Sequence, residues 1–65
     1  MDDKILMLLT QKVDERREQL IQALSDGSAK DFAEYRYMCG TIRGLSFAHS
    51  EIQDLVRRIK EYNDE

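Results

Sequence analysis

The apolar residues of this chain recur every three or four positions in two long segments. The first stripe is interrupted once, at Arg16, and consists of Leu6, Leu9, Val13, Leu20 and Ala23. The second stripe is uninterrupted and consists of Phe32, Tyr35, Cys39, Ile42, Leu45, His49, Ile52, Val56, Ile59 and Tyr62. Because an α-helix has about 3.6 residues per turn, each stripe predicts one amphipathic helix, and we expect an all-α fold.

The residues between the two stripes predict a tight turn. Gly27 suits the left-handed backbone position that follows a helix C-terminus. Ser28 followed by Asp31 resembles a capping box, and Asp2 or Asp3 can cap the first helix. We predict helix one at about 2–26, the turn at about 26–28 and helix two at about 29–62. Since a short turn makes the helices antiparallel neighbours, residues 1–65 should form one helical hairpin with a longer second helix.

A turn centred near Gly27 and Ser28 predicts which residues of the two helices face each other. Facing residues then have numbers that add to about 56. The predicted helix–helix seam consists of Leu9, Val13, Leu20, Leu24, Tyr35, Cys39, Gly40, Ile42 and Gly44. The two glycines favour a close approach of the two backbones, and a kink or break in helix two is the alternative.

The segment from Asp14 to Gln19 is a charged waist between the apolar ends of helix one. One interpretation is an exposed face on which glutamate and arginine side chains support the helix. The other places Arg16 or Arg17 at the seam, where the stem covers helix two and the guanidinium meets a carboxylate.

The predicted register leaves the end of helix two without a partner in its own chain. This overhang runs from Leu55 to Glu65, and we predict a partner or self-association interface at Leu55, Val56, Ile59 and Tyr62. A chain of 65 residues with one cysteine cannot form an internal disulfide, and small domains need other support. We therefore expect a dimer or higher oligomer, most simply a two-fold dimer that forms a helical bundle.

The chemically reactive residues do not form a catalytic site in the predicted hairpin. Cys39 and His49 are ten residues apart on one helix, or about 15 Å, so they cannot touch within one chain. The chain has neither a metal-ligand cluster nor a glycine-rich phosphate loop. We expect a protein that is not an enzyme and that binds no cofactor and no metal.

Charge and hydropathy narrow the range of partners. The net charge is −3 and the charges of both signs are mixed, which argues against a dedicated nucleic-acid-binding protein. The longest apolar run, Ile5 to Leu9, is too short to span a bilayer. The single cysteine and the start of the sequence, which has no signal-peptide pattern, favour a cytosolic origin.

The run EYRYMCGTIRGLSFAHSEIQDLVRRIKE, preceded by GSAKDFA, resembles small helical proteins encoded in structural gene clusters of tailed bacteriophages. The elements that carry the resemblance are Tyr35-Tyr37, Gly40-Ile42-Gly44-Leu45 and Glu51-Ile52-Asp54-Leu55. The resemblance covers most of helix two and implies a non-catalytic virion or assembly component associated with head or portal proteins. It therefore implies a location in the virion, and in the host cytoplasm during assembly.

A second function remains open on the sequence alone. Arg57, Arg58 and Lys60 form a small basic cluster, with acidic residues interleaved. A small dimeric regulatory adaptor, or a hairpin that binds RNA through one face, is therefore the alternative.

Overall fold

The computed structural model describes residues 3–63, which form two helices packed as an antiparallel hairpin. Helix α1 spans Asp3–Ser25 and α2 spans Phe32–Asn63, and the described residues contain no strand. The all-α hairpin with a longer second helix is thus confirmed. The molecule is a rod of 52 × 15 × 14 Å, whose length is close to the ~48 Å rise of the 32-residue α2. The predicted capping role of Asp2 and the last two residues of the overhang lie outside the described residues.

Helix α1 ends in a left-handed glycine cap, as the sequence predicts. Gly27 has a φ of 77°, in the region where a Cβ is strained. The amide of Ser28 donates to the carbonyl of Ala23 at 3.0 Å, and the amide of Gly27 donates to Leu24 at 3.1 Å. These two bonds are the pair of a Schellman motif, and they satisfy carbonyls that the helix end leaves without partners.

Helix α2 begins three residues later than predicted, because Asp31 and not Ser28 caps it. The amide of Glu34 donates to Asp31 Oδ1 at 2.8 Å, and Glu34 Oε2 accepts from the amide of Lys30 at 3.1 Å. The sequence contains two overlapping box-like patterns, which begin at Ser28 and at Asp31. The second has an acidic residue at both box positions, which suits the positive end of the helix dipole.

The observed register of the hairpin differs from the predicted one. Arg17 Nη1 lies 3.4 Å from Ser46 Oγ, and this hydrogen bond joins the two helices. Met7 and Thr10 share a groove with Gln53 and Val56. Facing residues therefore have numbers that add to about 63, and the predicted value of about 56 is wrong by about two turns. The start of α2 projects beyond α1 at the turn end.

Few side chains are buried in the seam. Among the described residues, Leu6 and Met38 alone are buried, at 7% and 8% exposure. Five residues predicted at the seam are half-buried, namely Val13, Leu20, Leu24, Cys39 and Ile42. Leu9 and Tyr35 are exposed instead, so their placement in the seam is wrong. The shifted register explains Tyr35, which lies on the part of α2 that projects beyond α1.

The two helical glycines do not mark a close approach of the backbones. Gly40 and Gly44 are exposed, and a methyl group built at either position meets no other atom within 4 Å. The predicted close packing at these glycines is therefore wrong. The alternative of a break is also wrong, since α2 continues as an α-helix through both positions.

Two matched glycine-to-alanine substitutions test the left-handed cap of α1. Gly27→Ala should lower the free energy of unfolding by about 1 kcal/mol, because its φ is left-handed although space is available. Gly40→Ala should raise it by up to about 1 kcal/mol, because alanine favours a helix. Urea unfolding followed by circular dichroism measures both values. A stabilising Gly27→Ala would contradict the left-handed cap.

The position of the cap on α2 can be tested in the same way. Asp31→Ala should cost about 1 kcal/mol, since it removes the acceptor for the amide of Glu34. Ser28→Ala should change stability by less than about 0.5 kcal/mol, as an exposed loop substitution does. If Ser28→Ala proved the more damaging variant in thermal unfolding, the capping box would begin at Ser28 after all.

Candidate association surface

The predicted overhang of α2 is covered in part by α1. Val56 and Ile59 are half-buried, and Val56 shares a groove with Met7 and Thr10 of α1. Leu55 and Tyr62 are exposed. The description of residues from 55 onward as an overhang without a partner is therefore wrong, because the observed register brings α1 level with residues up to about 60.

One side of the hairpin carries this groove, which is mixed in polarity. Its lining residues are Met7, Thr10, Gln53, Val56, Arg57 and Lys60. Met7 lies about 100° around α1 from the buried Leu6, and Arg57 lies about 100° around α2 from the seam residue Val56. We call this side of the rod the groove side.

The opposite side carries an apolar patch near the open end of the hairpin. Ile5 and Leu9 lie on α1, rotated away from Met7 across the seam, and Leu55 and Tyr62 lie on α2, rotated away from Arg57. Their exposures are 61%, 48%, 45% and 79%. We call these four residues the open-end patch. Because both helices contribute to it, it is a surface of the hairpin and not of one helix.

Small residues continue this side of α2 toward the turn. Gly44 and Ala48 precede Leu55 at helical spacing, so they lie on the same side of the rod as the open-end patch. Gly44 is exposed and Ala48 is half-buried. Between the exposed Tyr37 at one end and the open-end patch at the other, this side of α2 therefore has short side chains at Gly44 and Ala48.

Opposite charges flank the open-end patch on the two helices. Lys12 of α1 and Glu51 of α2 lie at the same level along the rod, on its two outer edges. Both side chains are exposed, and Lys12 Nζ lies 3.8 Å from Glu15 Oε2 of its own helix. An exposed pair at this distance contributes little to stability.

Arg17 occupies the seam, in agreement with the second interpretation of the charged waist. Its Nη2 lies 2.7 Å from Asp14 Oδ1, and Nη1 approaches Ser46 of α2. The Nε atom is buried and has no hydrogen-bond partner. The guanidinium is thus held by two carboxylates of its own helix, Asp14 and, at 3.8 Å, Glu18. The stem fills the seam beside Arg16, where the apolar stripe of α1 is interrupted.

An aromatic pair lies at the turn end, on the groove side. The rings of Phe32 and Tyr35 stack with centroids 6.3 Å apart and an interplanar angle of 26°. The Cys39 side chain raises the pKa of the Tyr35 hydroxyl above its ordinary value, first by hydrogen bonding and then by electrostatic repulsion of the phenolate. Because an ordinary tyrosine pKa is already near 10, the hydroxyl stays protonated at neutral pH.

Arg57 and Arg58, two of the three basic residues near the C-terminal end of α2, are paired with Asp54. Arg57 contacts Asp54 Oδ1, and Arg58 Nε lies 3.0 Å from Asp54 Oδ2. One half-buried carboxylate therefore binds both guanidinium groups. This pairing lowers the positive potential that a nucleic-acid backbone would meet here.

Metal-binding and membrane-spanning features are absent from the described residues. The part of the chain that the structure describes contains no group of histidine, cysteine, aspartate and glutamate side chains that could hold a metal ion. Neither described helix is both long and apolar enough to cross a membrane. Cys39 is half-buried and unbridged, and His49 is half-buried at the seam.

No protein-family model, curated protein or solved structure matches this chain.

The sequence interpretation placed the association surface on α2 alone and missed Ile5. The run Ile5 to Leu9 contains five consecutive apolar residues, whereas one helix stripe takes only three or four in two turns. That excess is the signal that some of these residues cannot face the seam. In the structure Leu6 takes the seam and the other four are exposed.

Substitutions of Arg17 test what holds it in the seam. Arg17→Met retains an unbranched stem and removes an incompletely paired charge, so it should change the free energy of unfolding by less than about 1 kcal/mol. Arg17→Ala should cost about 1–2 kcal/mol, because the packed stem is lost. Urea unfolding of both variants checks this; equal losses would show that the contacts of the guanidinium matter more than the stem.

Proposed function

We propose that this protein is a non-catalytic structural or assembly protein of a tailed bacteriophage. It acts by helix-mediated self-association, by docking on a larger virion protein, or both. It is located in the virion, and in the host cytoplasm while particles assemble. The bacteriophage part of the proposal is supported by the resemblance of Tyr35–Leu55 to proteins from phage structural gene clusters. The association part is supported by the exposed surface of the hairpin.

The observation that carries the association function is the large exposed surface of the hairpin. The chain exposes 5334 Å2, whereas a compact monomer of 7.7 kDa exposes about 4,300 Å2. Ten large apolar or aromatic side chains of the described residues are exposed. A surface of this kind is typical of proteins that bind other proteins.

The alternative function, binding of RNA, receives less support. Arg57 and Arg58 share the carboxylate of Asp54, and the net charge of the chain is −3. A protein whose affinity depends on phosphate contacts needs cationic groups that are available to the phosphates.

Mass spectrometry of purified virions tests the proposed function. Particles from the phage whose genome encodes this chain should contain it at a constant ratio to the major head protein after gradient purification. The control is a host protein of similar size and abundance, which should be lost during purification. Absence from particles, together with tight RNA binding at about 0.15 M salt, would replace this proposal with the alternative.

A further inference from the structure

We propose that the open-end patch binds the same patch of a second copy of this chain, with a two-fold axis parallel to the long axis of the rod. The product is a four-helix bundle in which each helix is antiparallel to its neighbours. The inference rests on the proposed association function and names the partner and the surface.

The symmetry places complementary apolar residues together. A two-fold axis along the rod lays α1 of one copy on α2 of the second, at the same level and with opposite direction. Ile5 and Leu9 of one copy then meet Leu55 and Tyr62 of the other. Because the interface is isologous, this contact occurs twice and covers all four residues of each patch.

A two-fold axis across the middle of the rod, with the two rods in full overlap, is less favourable. An axis across the rod would lay α1 on α1 in the opposite direction, so that the open end of one copy met the turn end of the other. Leu9 of one copy would then lie at the level of Gln19 of the other copy. Leu55 would no longer lie beside the apolar residues at the open end of the other copy. Burial of an apolar side chain against an amide costs more than burial against another apolar side chain.

Charge complementarity supports the axis along the rod. Lys12 and Glu51 are level with each other, but they lie on opposite outer edges of one hairpin. The two-fold axis brings Lys12 of one copy to Glu51 of the other, and it makes this pair twice. Beside it, Arg16 of one copy lies over Gly44 and Ala48 of the other, where the low surface of α2 leaves room for its stem.

The exposed area of the hairpin is also large enough for an interface with a second copy. The chain exposes about 1,000 Å2 more than a compact monomer of its mass. A standard protein interface buries about 800 Å2 on each partner, so one such interface per chain removes most of this excess.

Sedimentation equilibrium at micromolar concentration, with matched variants, tests the interface. The wild-type chain should be a dimer. Leu55→Glu should raise the dissociation constant at least about 30-fold, because it places a charge at the centre of the patch. Phe47→Glu is the control, since Phe47 is exposed on the outer face of α2, away from both the seam and the patch. Far-ultraviolet circular dichroism should show that both variants remain helical at high concentration.

A charge exchange tests the direction of the axis. Lys12→Glu and Glu51→Lys should each weaken the dimer several-fold at low salt, and the double exchange should restore it. A wild-type monomer that folds cooperatively, a trimer or larger closed oligomer, equal effects of Leu55→Glu and Phe47→Glu, or a double exchange without rescue would each overturn the proposal. A dimer that is absent from virions would refute the phage function alone. A virion component that is monomeric in solution would refute the dimer alone.

Discussion

The connection between the helices determines which side chains of this protein meet. A left-handed glycine closes α1 at Gly27, and Asp31 opens α2, so residues 26–31 lie outside both helices. The two caps fix where each helix stops and starts, and the connection between them is long enough for the first residues of α2 to project beyond α1. The resulting register brings Met7 beside Val56 and Arg17 beside Ser46.

The sequence correctly predicts the two helices and the turn between them, but it does not predict the register in which the helices pack. Helical spacing and Gly27 are local signals, and local signals are read directly from the chain. The choice between Ser28 and Asp31 as the cap depends on a competition between two overlapping patterns. The three-residue error at the cap is less than one helical turn, whereas the predicted partners are displaced by about two turns, so most of the difference comes from the first residues of α2, including Tyr35, which project beyond α1.

The candidate site was predictable only in part, for the same reason. Leu55 and Tyr62 are exposed apolar residues, as the predicted interface at the end of helix two requires, but their neighbours on α1 follow from the register. Ile5 joins them because a helix lets only part of a continuous apolar run face one partner. The role of Arg17 depends on tertiary packing, since a charged residue in an apolar stripe can lie either at the edge or in the seam.

The small number of buried side chains between the helices affects the fraction of the protein that is folded. With Leu6 and Met38 as the only buried side chains among those described, a free hairpin retains little apolar burial to offset the entropy of ordering. Any partner that binds the folded form then adds to its stability by mass action. If that partner is a second copy, as proposed, folding and assembly become one equilibrium, in which the local number of copies sets the folded fraction. Copies that find no partner spend more time unfolded, where proteases can remove them.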